Sequence, residues 1–185
     1  MVTPSILRAN FPDDVPLPDL LVRLCAYTEA TGNESLGGDL TLTDHGRQSR
    51  ASWFRSYPDQ APRFIIFATD RSGSLYGYWR DEGHSLDRAP LVYLNDEGVD
   101  STVLADTLGE FLTLIAVGQS SLGMVGEWDE AEDPDLSTGH YRLWLREELG
   151  IAAPTLSEAR AIVESARATH PDLDRWVEHL VTGQL

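Results

Sequence analysis

The histidines are the residues best able to serve as metal ligands or as a catalytic base in this chain. They are His45, His84, His140, His170 and His179. No two are four residues apart, and the His-Glu-x-x-His pattern that sets two zinc ligands on one helix face does not occur. The Gly-x-Ser-x-Gly turn of serine hydrolases does not occur either. The sequence therefore predicts no catalytic residue, no metal site and no cofactor, and favours a protein that is not an enzyme.

Two further patterns could bind a phosphate or a calcium ion, but each lacks a required part. Gly73-Ser74-x-x-Gly77 has glycines but no lysine and no following helix, so a hairpin turn is the favoured interpretation. Residues 129–135 are acidic, but they lack the alternating ligands, central glycine and terminal glutamate of a calcium loop. Neither pattern predicts an ion site.

The residues best suited to contact another protein are the acids of segment 127–135. Six of these nine residues are acidic, and their mutual repulsion predicts an extended, exposed segment. One interpretation is a solvated loop before a helix; the other is a lure for a basic partner, because clustered carboxylates raise association rates at low salt. The predicted contacts are then Asp129, Glu130, Glu132 and Asp133. Trp128 beside them would be either the apolar anchor of the interface or a core residue that tethers the loop.

Aromatic side chains form a second group that could contact a ligand. Tyr76, Tyr78, Trp79 and Tyr93 fall on predicted strands, where aromatic residues more often pack across strands than bind ligands. Tyr76 and Tyr78 share one face of their strand. That face would be a candidate contact surface if no helix covers it.

Charge and cysteine content exclude several classes of protein. The formal net charge is −16, with 30 acidic and 14 basic residues, and every basic residue is an arginine. Phosphate binding needs a basic surface, so neither a nucleic acid nor an anionic membrane is a predicted partner. The acidity favours a basic protein partner or simply high solubility. Cys25 is the single cysteine and no apolar run reaches membrane-spanning length, which is typical of a cytoplasmic protein.

Hydrophobic periodicity predicts the elements that position these residues. An apolar stripe predicts a helix over about 17–30, and Trp53 and Phe54 either form a short strand or pack under a loop. Strands are predicted by short β-branched and aromatic runs at 39–43, 64–68, 74–80, 91–94 and 103–105. Thr107-x-x-Glu110 has the pattern of a capping box, which opens a helix.

The last third of the chain has a different pattern. Residues 118–139 are rich in glycine, serine and acids and predict a loop, and three helices follow at about 138–149, 156–168 and 172–182. Thr155-x-x-Glu158 is a second capping box.

The predicted fold class is α+β: a mixed, mainly antiparallel sheet flanked by helices, with a C-terminal helical extension. The predicted organisation is a core over 1–116, with 117–185 packed on the same domain.

The first two thirds of the chain resemble the SUKH superfamily of fungal cell-wall assembly regulators and bacterial toxin-immunity proteins. The similar motifs occur in the family's order between residues 17 and 116. They are Leu17-Pro18-Asp19-Leu20-Leu21, Gly37-Gly38, Phe67-Ala68-x-Asp70-x-x-Gly73-Ser74, Pro90-Leu91-Val92-Tyr93-Leu94 and Leu108-x-Glu110-Phe111-Leu112. The resemblance implies an α+β fold without catalysis, in which members bind and neutralise toxins, often nucleases or deaminases, or act as adaptors. Because partners vary within the family, it implies no particular binding residue.

Two functions from different classes therefore remain open. The first is an immunity-type protein that binds and neutralises a cognate basic toxin. The second is a regulatory or scaffold adaptor that binds a host partner, with no toxin involved. A toxin domain encoded by the neighbouring gene would favour the first.

Overall fold

A computed structural model describes residues 1–32, 36–37, 39–80, 85–129 and 134–182, with the side chains of 134–137 excepted. Gly38 and His84, named in the sequence analysis, lie outside the described residues. The helices found in these ranges are α1 Pro4–Arg8, α2 Asp19–Thr31, α3 Gly46–Trp53, α4 Leu108–Ile115, α5 Pro134–Leu149, α6 Leu156–Thr169 and α7 Leu173–Thr182. The strands are β1 Thr41–Leu42, β2 Phe64–Thr69, β3 Leu75–Trp79, β4 Leu91–Leu94 and β5 Thr102–Ala105. The α+β fold class is confirmed.

The strands form one sheet in sequence order, β1-β2-β3-β4-β5, and every pairing among the described strands is antiparallel. The turn between β2 and β3 is the predicted hairpin. The Asp70 carboxylate accepts hydrogen bonds from the backbone N–H groups of Ser72 and Ser74, and Gly73 has a φ of 98°. Strand β2 lies second from one edge of the sheet, and β3 is the middle strand.

Both faces of the sheet are covered, which decides the question raised by the tyrosines. On β3 the side chains alternate as predicted: Tyr76 and Tyr78 enter the larger of two hydrophobic clusters, and Leu75 and Trp79 enter the smaller one. Tyr76 is 0% exposed and Tyr78 is 3% exposed, because helices pack over that face. The tyrosine face is therefore core and not a contact surface.

The smaller cluster contains a group of aromatic rings in contact with one another. Trp53 is the last residue of α3 and Phe54 follows it, so neither a short strand nor a position under a loop is found there; both side chains pack in the smaller cluster. The Phe54 ring stacks on Phe64 at 4.8 Å, and Trp176 of α7 contacts Phe64 and Trp79 at centroid distances of 5.8 and 5.5 Å. These distances fall in the range that aromatic pairs prefer.

The C-terminal helices pack directly on the sheet. Helix α6 lies beside β5 and contributes Ala159 and Val163 to the larger cluster and Ala166 to the smaller one. Both predicted capping boxes are present, at Thr107 with Glu110 and at Thr155 with Glu158. Helix α7 begins at Leu173 and buries an apolar stripe consisting of Leu173, Val177 and Leu180. The edge strand β5 is thereby shielded by helix α6.

Candidate functional site

Most residues that could take part in catalysis are either far from a suitable partner side chain or buried. His170 is the exception, because its Nε2 lies 2.9 Å from an Asp106 carboxylate oxygen, and both side chains are partly buried. The cavity beside His170 is lined by Trp79, Arg80, Arg88, Ala89, Pro90 and Pro171, with no serine, threonine or cysteine. Within the described part of the chain, no group of three or more His, Cys, Asp or Glu side chains is placed to hold a metal ion.

The other nucleophile candidates have structural surroundings. Cys25 is buried, and burial together with the nearby Glu29 raises its pKa to about 11, so the thiolate is disfavoured at neutral pH. The Ser74 hydroxyl is buried within the hairpin and bonds Tyr93 Oη at 3.2 Å and Asp96 at 3.0 Å. Tyr76 donates to Asp70 at 3.0 Å, and burial and Asp70 raise its pKa. These groups hold strands and turns together.

The beginning of the acidic segment is fixed on the protein. Trp128 is 2% exposed and donates from its indole nitrogen to the Ser121 carbonyl at 3.1 Å. Its own carbonyl accepts a hydrogen bond from Arg160 of α6. Of the two roles predicted for Trp128, its position is that of a core residue that tethers the loop. Its ring is not an exposed anchor for a partner in this structure.

Asp129 is the predicted contact residue that the structure describes. Its backbone is held from both sides by Gln119, whose side-chain amide donates to the Asp129 carbonyl at 2.7 Å and accepts from the Asp129 N–H at 3.2 Å. Its side chain is exposed. Glu130, Glu132 and Asp133 lie outside the described residues.

The strongest candidate site is an acidic groove that includes Glu127, the first residue of the acidic segment. We use "acidic groove" for the cavity of about 500 Å³ lined by residues 100–103, 123–127, 167 and 171–174. Its charged residues are Asp100, Glu127, Asp172 and Asp174, with Arg167 as the one cation of the lining. All five are exposed. The groove therefore presents a net negative wall, continued two residues beyond Glu127 by Asp129.

Three separate parts of the chain are held together to make this groove. Asp174, in the first turn of α7, accepts a hydrogen bond from the Ser101 N–H at 3.1 Å, which ties α7 to the start of β5. Arg167 donates to the Thr102 hydroxyl at 2.8 Å, which ties α6 to β5. Asp172 accepts from the Arg175 N–H at 3.2 Å, so its carboxylate is held by the first turn of α7.

A glycine allows the third segment to pack closely. A Cβ added at Gly123 would lie 2.2 Å from the Tyr93 ring, which already bonds Ser74 through its hydroxyl. Only glycine lets the backbone of 123–127 rest on that ring. The floor beneath is apolar, with Val103, Val125 and Leu173 buried.

Asp172 and Asp174 accept hydrogen bonds from backbone N–H groups, and none of the four groove carboxylates forms an ion pair with a described residue. A backbone N–H satisfies one acceptor but leaves the formal charge in place. A partly walled cavity lined by one sign of charge concentrates the field toward ligands of the opposite sign. The arrangement is suited to bind arginine or lysine side chains.

Comparisons of the chain with family models, with curated proteins and with solved structures find no match. The resemblance to the SUKH superfamily therefore remains a prediction. Among the described helices, none has the length and apolar character required to cross a membrane.

The acidic segment is visible in the sequence, but the groove is not. Asp100, Glu127 and Asp174 are far apart in the chain and become neighbours only when β5 and α7 pack together. The overall acidity predicts a surface of this sign somewhere on the protein. No local pattern marked these positions.

Proposed function

We propose that the protein is a non-catalytic, cytoplasmic immunity-type protein that binds a cognate basic toxin and blocks its active site. The observation that carries this proposal is the acidic groove, with four exposed carboxylates and one guanidinium around a cavity of about 500 Å³. The resemblance to immunity proteins, stated from the sequence motifs, supports the same function independently of the groove.

The physical basis is mimicry of a phosphate backbone. A toxin that cleaves or modifies nucleic acid must present basic side chains where it grips phosphates. Carboxylates arranged along a groove offer those side chains an alternative anionic surface. An inhibitor bound there would exclude the substrate without any chemical step.

The contact surface proposed here begins in the groove and continues along the acidic segment. Asp129 leaves the groove on a backbone pinned by Gln119, and Glu130, Glu132 and Asp133 follow it in sequence. Val99, next to Asp100 in the chain, is 53% exposed and would add an apolar contact beside the charged ones. Trp128 is left out of this surface because its ring is buried.

The first test is protection in cells. The neighbouring genes are searched for a toxin domain, the chain is co-expressed with the domain found there, and growth is compared with cells that express that domain alone. Rescue of growth together with a stable complex is the expected result. A stable complex with a host protein and no protection would favour the adaptor function instead.

The second test asks whether the groove is the contact. We expect a variant with D100N, E127Q, D172N and D174N to associate with the toxin at least tenfold more slowly at low salt and with weaker salt dependence. The matched control changes E29Q, E147Q, E164Q and E178Q, which are exposed residues outside the groove. Both variants change the net charge equally, so equal association rates would reject the groove as the contact.

A further inference from the structure

A second charged cavity, of opposite sign, lies at helix α3. We use "arginine pocket" for the cavity of about 360 Å³ lined by Asn10, Pro12, Asp13, Arg47, Arg50, Pro62 and Arg80. Three of its residues are arginines, in a chain whose net charge is −16. Its single acid, Asp13, is exposed.

The two arginines of α3 are held in position by hydrogen bonds to backbone carbonyls, which are neutral. Arg47 and Arg50 are three residues apart, so they project from the same side of the helix. Arg47 donates to the Phe11 carbonyl, and Arg50 donates from Nη1 to the Phe64 carbonyl at 2.6 Å. A carbonyl fixes the position of a guanidinium without cancelling its charge.

The described lining of the pocket therefore carries a net positive charge, with three arginines against the one acid Asp13. Among the described residues, no carboxylate oxygen lies within 4.0 Å of the guanidinium nitrogens of Arg47, Arg50 or Arg80. Arg50 Nε is buried and has no hydrogen-bond partner among the described residues. Burial and the charge of Arg47 both lower the pKa of Arg50, which is the response expected of two guanidinium groups left side by side without an anion.

Close packing of buried residues forms the wall of the pocket beside helix α3. Asn10 is buried and donates to the Thr43 carbonyl at 2.7 Å, and it lies against Gly46 at the start of α3. A Cβ at Gly46 would lie 2.1 Å from the Ile66 carbonyl oxygen and 2.8 Å from Asn10 Cγ. The helix that carries Arg47 and Arg50 is therefore seated closely against β2.

We propose that the arginine pocket binds a small molecule through a phosphoryl or diphosphate group. Guanidinium groups bind such oxyanions through paired N–H donors, and Arg47, Arg50 and Arg80 bring three of these groups to one cavity. The volume is within the range of small-ligand pockets. A free small molecule is favoured over nucleic acid because the net charge of −16 repels a polyanion from the rest of the surface.

The test is titration calorimetry of the whole chain at low ionic strength with pyrophosphate, inorganic phosphate and malonate. We expect saturable one-to-one binding of pyrophosphate, weaker binding of phosphate, and a higher thermal midpoint with pyrophosphate present. Absence of saturable binding by all three anions would overturn the proposal. Malonate binding as tightly as pyrophosphate would overturn the assignment of a phosphoryl ligand.

The variants separate a local site from the effect of charge in general. R80Q removes a pocket guanidinium whose side chain makes no hydrogen bond in the described structure, so R80Q is expected to fold. R80Q alone should weaken pyrophosphate binding several-fold, and R47Q with R80Q at least tenfold. The control R55Q with R175Q alters exposed arginines outside the pocket and should bind as the wild type does. Equal weakening in the control would contradict a local site.

Discussion

In both the acidic groove and the arginine pocket, charged side chains are held by neutral backbone groups, but the two sites have opposite charge. In the groove, Asp174 is held by the N–H of Ser101, and in the pocket, Arg50 is held by the carbonyl of Phe64. Neither site neutralises its charges with close ion pairs among the described residues. Both sites therefore keep their charge available for a ligand, although one agrees with the acidity of the chain and the other opposes it.

The two regions differ in how they are assembled. The groove joins β5, the segment 123–127 and the connection from α6 to α7, so it requires the C-terminal helices. The pocket draws two of its three arginines from the single helix α3, which is seated closely on β2, and residues 10–13, Pro62 and Arg80 complete its lining. Both sites thus depend on long-range packing, but the pocket takes two of its charges from one helix. Net charge predicts an acidic surface and gives no hint of a basic pocket.

The largest effect is expected from removing α7. A chain that ends at His170 loses the buried Leu173, Val177 and Leu180 and uncovers the rest of the smaller hydrophobic cluster. Each such side chain contributes roughly 1.5–3 kcal/mol on burial, so the loss approaches the total stability of a domain. We expect the truncated chain to be unfolded or to melt far below the full chain by circular dichroism.

Point variants of α7 give the graded version of this experiment. L180A in the full chain should lower the free energy of unfolding by about 2–5 kcal/mol, whereas V181A, at an exposed position, should change it by less than about 0.5 kcal/mol. An unchanged thermal midpoint after truncation would show that the groove is an appendage. The pocket would then be the only one of the two sites built on the core.

The next effect concerns the seating of the pocket helix. G46A places a methyl group 2.1 Å from the Ile66 carbonyl oxygen, so α3 must shift away from β2. We expect a loss of about 1–3 kcal/mol in urea denaturation, together with loss of pyrophosphate binding. The control is G126A in the groove, where an added Cβ meets nothing within 4 Å. If G46A and G126A are equally stable, the close seating of α3 is not what holds the pocket.

The sheet and the helix starts could be predicted from the sequence because their signals are local. The run at Phe64 and the Pro90-Leu91 strand are short apolar segments, and Thr107 and Thr155 bond residues three positions away. Helix α3 was missed because its sequence, Gly-Arg-Gln-Ser-Arg-Ala-Ser-Trp, is polar and has no apolar stripe. Its contacts are instead with distant parts of the chain: Gly46 approaches Ile66 closely, and Arg47 and Arg50 bond the carbonyls of Phe11 and Phe64.

The candidate sites were harder to predict than the fold. Trp128 lies beside six acids in the sequence, which suggested an interface, but its indole fills the core and its carbonyl receives Arg160. Asp100 and Asp174 are separated by most of the C-terminal half and meet through one hydrogen bond at Ser101. Such meetings are decided by packing between elements, which a single sequence does not encode in any short pattern.

The smallest expected effect distinguishes charge from hydrogen bonding at the groove. Ser101 is buried, and its N–H donates to Asp174, so D174A leaves a buried donor unsatisfied. We expect D174A to lose about 1–3 kcal/mol in urea denaturation. D174N keeps an acceptor oxygen at the same place and should remain close to the wild type.

The outcome of this pair bears on the use of the groove by a partner. If D174N folds normally, the carboxylate charge is not needed for stability, as we expect of a charge available to a ligand. If D174N is as unstable as D174A, the charge itself holds α7 in place and Asp174 belongs to the structure of the groove. The binding charge would then reside on Asp100, Glu127 and Asp172, and on Asp129 beyond them.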